Sequence, residues 1–99
     1  MKVVNLKYSD YTLYIGRENR TYNLKASKWA NPYPLTEYSL QDSLMLYEKH
    51  VIDSGLYNDL HELEDQILGC WCITDKNQFC HGNILIRLYN EKKLNDMIK

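Results

Sequence analysis

Apolar positions in this chain fall into short runs near both ends and a helical stripe in the middle. Residues 2–6 (KVVNL) and 11–15 (YTLYI) are rich in β-branched and aromatic side chains, which predicts two short strands. Tyr8-Ser9-Asp10 between them has turn chemistry, so a hairpin is expected, with Gly16 ending the second strand. Ser39 then opens a helix, with Asp42 three residues on in a near match to a capping box. Leu40, Leu44, Tyr47 and Val51 recur at intervals of four, three and four, which marks one helix face. Gly55 is a natural stop. A second, short helix is expected from Leu56 to Asp65, with Leu56, Leu60 and Leu63 on one side and acids on the other. Residues 67–72 (ILGCWC) read as a buried strand, and 73–79 as a polar loop. The last helix is expected from His81 to Ile98, with Leu85 and Leu88 as one core patch and Leu94, Met97 and Ile98 as another.

Between the second strand and the first helix, residues 17–38 carry little period and hold both prolines, Pro32 and Pro34. Each proline biases the residue before it away from helical dihedrals. Structureless segments beyond about 12–15 residues are uncommon in compact domains and are often functional. The expected architecture is α/β: one small domain over residues 1–99, with a short mixed sheet of about three strands packed by about three helices. A strand–helix–strand succession favours at least one parallel pairing with a right-handed crossover.

Composition changes this picture only modestly. At 99 residues, 44% hydrophobic and 25% charged, the chain is neither disordered nor fibrous in type. No apolar run approaches the roughly 18 residues of a membrane span. The opening MKVVNLKYSD turns polar after four positions, unlike a secretory signal. The net charge of −1 argues against a dedicated nucleic-acid binder, yet the charge is unevenly spread. Residues 1–34 carry six Lys/Arg against two acids, a net of +4. Residues 35–69 carry eight acids against Lys49, a net of −7, and residues 70–99 return to +2. The basic third suits an anionic ligand. Equally, the basic and acidic thirds can face each other or water.

Two groups of residues carry candidate chemistry. The first is Cys70-Trp71-Cys72 followed by Cys80-His81-Gly82. Three cysteines without a signal peptide point to reduced thiols and a cytoplasmic setting rather than a disulfide framework. In a strand, Cys70 and Cys72 would share a face with Trp71 opposite. Three readings compete. Cys70, Cys72, Cys80 and His81 are a Cys3His ligand set for zinc, although the usual C-x2-C knuckle is missing. Cys80 at a helix N-terminus would favour thiolate and could act as a nucleophile, with His81 as acid or base. Or the cysteines are inert packing residues. The second group is Gly16-Arg17 with Ser27-Lys28-Trp29-Ala30-Asn31-Pro32. Gly16 and Arg17 lie just past a strand end, where α/β folds place ligand groups. Arg17 offers a planar fork for phosphate or carboxylate, Lys28 a point charge, Trp29 a stacking face and Asn31 a donor and an acceptor. The competing view is that Trp29 plugs the core and both cations are solvated. No P-loop or GxGxxG is present.

The chain also resembles the family called domain of unknown function 4326, found in bacteria, phages and large viruses. The resemblance rests on Val4-Asn5-Leu6, Tyr14-Ile15-Gly16-Arg17, Ser27-Lys28-Trp29-Ala30-Asn31-Pro32 and a Tyr47-containing helix. It continues through Leu68-Gly69-Cys70-Trp71-Cys72 and Cys80-His81-Gly82. It implies that these blocks form one signature, and it brings no established activity. The Cys72–Cys80 connection is longer and more polar than the family's usual one. The expected function is a pocket for an anionic, nucleotide-derived small molecule, lined by Gly16, Arg17, Lys28, Trp29, Asn31, Cys72, Cys80 and His81. The N-terminus of the last helix is expected to add backbone donors for the anion. A zinc-stapled interaction module and a small enzyme using Cys80 and His81 on a nucleotide derivative are the alternatives. A role in phage or bacterial signalling or defence fits the first reading.

Overall fold

The structure, a computed structural model, describes residues 1–71 and 79–98. Three strands, β1 (Lys2–Asn5), β2 (Leu13–Tyr14) and β3 (Ile67–Cys70), form one sheet. The helices are α1 (Leu40–Asp53), a 3₁₀ helix (Leu56–Leu63) and α2 (His81–Ile98). The α/β class with three strands and three helices is therefore as the sequence pattern predicts. Cys72, expected at the end of the third strand, and the loop positions 73–78 lie outside the described residues.

The expected hairpin does not form. The sheet order is β1-β3-β2, and both outer strands pair parallel to β3, so the sheet is parallel rather than mixed. In register, Val3 and Leu13 both lie level with Leu68, on opposite sides of it. The physical reason lies in β3 and in the link from β1 to β2. β3 (ILGC) carries no charged or strongly polar side chain and is buried over Leu68, Gly69 and Cys70, so it takes the centre. The link spans residues 6–12, too long for a tight two-residue hairpin. After a turn in which the Tyr8 and Ser9 amides both donate to the Asn5 carbonyl, the chain crosses one face of β3. The Tyr11 ring lies where a side chain at position 69 would stand: a Cβ on Gly69 would be 2.7 Å from the ring. Glycine is thus what lets the link pass.

The other face of the sheet carries the core. Ile15, Leu68 and Cys70 pack there against Tyr47 and Val51 of α1, Leu60 and Leu63 of the 3₁₀ helix, and Leu85 and Leu88 of α2. The α1 cap is as expected, with the Asp42 amide donating to Ser39 Oγ at 3.1 Å. The predicted apolar stripe of α1 divides. Tyr47 and Val51 enter the core, whereas Leu40 and Leu44 line a pocket beside it. Residues 56–63 wind as a 3₁₀ rather than an α-helix, and Gly55 enters it at φ 89°. Leu60 and Leu63, three apart, eclipse each other in that geometry and together reach the core.

The second apolar patch of α2 is not core. Leu94, Met97 and Ile98 are 58%, 74% and 73% exposed. A helix of 18 residues runs about 27 Å and outreaches the four-residue strands that it covers. The charge segregation is partly internal: the Lys28 ammonium meets the carboxylates of Asp59 (3.3 Å) and Glu62 (2.8 Å) on the 3₁₀ helix. The Glu62 hydrogen bond holds the Lys28 ammonium above its ordinary range against the opposing desolvation, with Asp59 adding to the rise.

Candidate functional site

The first turn of α2 is fixed by the residues that begin it. Cys80 is the N-cap. Its amide donates to Asn83 Oδ1 at 2.8 Å, its carbonyl accepts from the Asn83 amide at 3.0 Å, and its sulfur accepts from the Gly82 amide at 3.3 Å. This is a reciprocal cap in which sulfur takes the place of a hydroxyl. The Gly82 and Asn83 amides are thereby engaged by Cys80 itself. The expectation that these donors would hold an anion is corrected accordingly: the helix end is turned onto a sulfur.

Gly82 also sets how closely α2 approaches the sheet. A Cβ there would stand 2.7 Å from Val3 Cγ2 and 2.9 Å from Ile15 Cδ1. The close approach brings the His81 ring, only 4% exposed, to the end of β2, where Nε2 lies 2.6 Å from the Ile15 carbonyl. Burial holds the imidazole below its ordinary range. The Ile15 bond and Cys70 pull the other way, and the nearby Arg17 charge adds to the lowering. The ring is therefore neutral near pH 7, and Nε2 carries the proton that it donates to Ile15. Its edge meets the Tyr47 ring at 5.1 Å. Burial pushes the Tyr47 phenol far up, so it stays protonated and donates to the Trp29 carbonyl at 2.6 Å.

The irregular segment is tied down by polar bonds. Asn31 donates from Nδ2 to Ser43 Oγ at 2.8 Å and accepts at Oδ1 from the Tyr33 amide at 2.9 Å. Ser43, fully buried on α1, donates to the Tyr33 carbonyl at 2.7 Å. Arg17 Nε donates to the Asn31 carbonyl at 2.8 Å, which pins the guanidinium by one edge. The Tyr14 hydroxyl donates to the Arg17 carbonyl and accepts from Trp71 Nε1 at 3.1 Å. Its ring folds back over Gly16, where any Cβ would collide with the phenol.

These elements enclose a pocket of about 330 Å³ at the carboxyl ends of β2 and β3. Gly16, Arg17, Asn31, Cys80 and His81, all expected at the site, line it, and so does Cys70. Two expected residues do not. Trp29 is 2% exposed and belongs to the core, so it cannot stack on a ligand. Lys28 spends its charge on Asp59 and Glu62 and lies over the Trp29 ring at 5.3 Å. Cys72 lies outside the described residues. The pocket's aromatic faces come instead from Tyr14, Tyr33 and Trp71. Tyr33 and Ser43 were missed by reading the chain. A signal for Ser43 existed: it stands four before Tyr47 and eight before Val51, a polar residue in line with the buried stripe. Trp71 was assigned to the sheet face opposite Cys70. It shares the pocket with Cys70 because β3 stops at Cys70, and both line the end of the strand.

One of the four expected zinc ligands, Cys72, lies outside the described residues; among the described residues, no group of three His, Cys, Asp or Glu side chains converges. His81 commits Nε2 to Ile15. Cys70 Sγ and Cys80 Sγ are 3.2 Å apart. That is shorter than the roughly 3.8 Å edge of a tetrahedron with Zn–S near 2.3 Å. Nor, among the described residues, is any helix long and apolar enough to cross a membrane.

The chain is 36% identical over 85 residues to an uncharacterised protein of Acanthamoeba polyphaga mimivirus, covering 78% of this chain and 65% of that relative. It therefore spans about two thirds of the relative's length. No solved structure matches it. The family description domain of unknown function 4326 matches residues 2–91, a span holding β1, Arg17, the Asn31 loop, the Cys70–Trp71 strand end and the start of α2. The chain belongs to the family described as domain of unknown function 4326.

Proposed function

We propose that this protein binds an anionic, nucleotide-derived small molecule in the pocket at the carboxyl ends of β2 and β3. The observation that carries this reading is the pairing, in one pocket of about 330 Å³, of a pinned guanidinium with aromatic and amide groups. With Nε bound to Asn31, Arg17 keeps its two Nη groups for a phosphate or carboxylate edge. Trp71 and Tyr33 offer ring faces for a base. Asn31, with one amide hydrogen given to Ser43, has a second for its edge. The volume is at the small end for ligand pockets, which favours a nucleoside monophosphate or a similar compound over a dinucleotide. Location at the strand carboxyl ends of a parallel sheet is where α/β folds bind ligands. The setting we infer is cytoplasmic, in the producing or infected cell, with sequestration or sensing of a signalling nucleotide as the role.

Thermal shift against a panel of nucleosides and nucleotides tests this. A ligand at a hundred times its Kd adds about 2.7 kcal/mol. In a domain of this size that raises Tm by roughly 10–20 °C. Arg17→Ala is expected to weaken binding about 10–100-fold by removing charge-assisted bonds. Trp71→Ala should remove selectivity for the base while the phosphate still binds. A shift that survives both substitutions would place the ligand elsewhere.

A further inference from the structure

Two sulfurs meet at the inner wall of the pocket. Cys70 ends β3, Cys80 caps α2, and their Sγ atoms are 3.2 Å apart although ten residues separate them in sequence. Neither is in a disulfide; they are 0% and 1% exposed, and both line the pocket. We propose that Cys70 and Cys80 are a dithiol site that reacts with hydrogen peroxide and closes to a disulfide. This does not rest on the nucleotide reading.

Geometry assigns the roles. The Cys80 sulfur accepts the Gly82 amide at the positive end of an 18-residue helix, an environment that favours thiolate. Arg17 adds a positive charge to the same pocket. Cys80 is thus the attacking sulfur and Cys70 the resolving one. The Cys80 thiolate attacks one peroxide oxygen, the O–O bond breaks, and hydroxide leaves and takes up the proton released by the thiol. Cys80 is now a sulfenic acid. The Cys70 sulfur attacks it, an S–S bond forms, the S–O bond breaks, and a second water leaves with the Cys70 proton. The two thiols lose two electrons, and the peroxide becomes two waters. A disulfide needs sulfurs about 2.05 Å apart, so the pair has only about 1.1 Å to close. The oxidant follows from the burial. Sulfurs 0% and 1% exposed favour a small oxidant such as hydrogen peroxide over a bulky disulfide such as glutathione's.

The test uses the folded Cys72→Ser chain, reduced and desalted, then treated with hydrogen peroxide, alkylated and mapped by mass spectrometry without reduction. Peptides of Cys70 and Cys80 are expected to be joined, lighter by the mass of two hydrogens. Adding Cys70→Ser should leave Cys80 as a sulfenic acid trapped by dimedone. Cys80→Ser should abolish both products. The same chain unfolded in urea is the yardstick. The native protein is expected to form the disulfide about tenfold faster, since folding supplies both the thiolate environment and the partner. Slower oxidation in the native state would mean that burial merely shields the sulfurs, and would overturn the proposal. So would about one zinc per chain whose chelation is required before peroxide acts. A trapped sulfenic acid on Cys70 instead of Cys80 would overturn the assignment of the attacking sulfur.

Discussion

Tyr47→Phe removes one oxygen atom and keeps the ring. In the native protein that oxygen donates to the Trp29 carbonyl at 2.6 Å, in a fully buried position between α1 and the irregular segment. The ring's packing on Val51 and His81 survives the change, so hydrophobic loss is small. What remains is a buried carbonyl without its donor, which costs about 1–3 kcal/mol. For a 99-residue chain, 1 kcal/mol corresponds to roughly 4–8 °C in Tm, so a fall of about 5–20 °C is expected. Urea unfolding followed by circular dichroism should show a lower midpoint with an unchanged slope. Tyr89→Phe supplies the control. It deletes a hydroxyl of the same kind, bonded to Glu64 at 2.9 Å, but on the surface, where water replaces the lost partner. The reasoning is refuted if the two substitutions cost the same. The Trp29 carbonyl would then be satisfied by other means, and the Tyr47 bond would not be what anchors the segment carrying Asn31.

Three further outcomes are expected. Stability should fall as pH drops below about 6.5, because the unfolded His81 takes up a proton that the buried, neutral, folded His81 refuses. The native state binds fewer protons there, so the slope is positive, at most about 1.4 kcal/mol per pH unit, and it should diminish in His81→Gln when chemical denaturation is repeated across pH. Gly82→Ala should cost about 1–3 kcal/mol in urea unfolding through its collision with Val3 and Ile15, and Val3→Ala should recover part of that loss in the double variant. Leu85→Ala should lose about 2–5 kcal/mol, whereas Leu94→Ala, on the exposed end of α2, should stay within about 0.5 kcal/mol; equal losses in thermal unfolding would place Leu94 in the core.

What could be read from the sequence divides along a physical line. Local signals were legible: Ser39 as a cap, Gly55 as a stop, and the helix face of Tyr47 and Val51 each depend on neighbours within a turn or two. Pairing was not. Whether 2–5 pairs with 13–14 or with 67–70 turns on Gly69, whose missing side chain lets Tyr11 cross, and that consequence appears only when residues 58 positions apart meet. The site followed the same division. Gly16, Arg17, Asn31, Cys80 and His81 lie on the pocket because each sits at an element end or in the long irregular segment, where function was expected. Trp29 and Lys28 were drawn to the site by side-chain type, and each is claimed by a stronger demand. The indole gains more from the core than from solvent, and the ammonium meets two carboxylates within reach. Burial of Trp29 in turn places its carbonyl for Tyr47, and with it the Asn31 turn that holds Arg17. An anchor in the core thus positions the guanidinium that a ligand would meet, so Trp29 reaches the pocket through the backbone rather than through its ring. Alanine at Trp29 should then disturb the pocket by loosening Asn31 and Arg17. Its signature is lost stability in the free protein, whereas Trp71→Ala should leave the free protein's stability nearly intact.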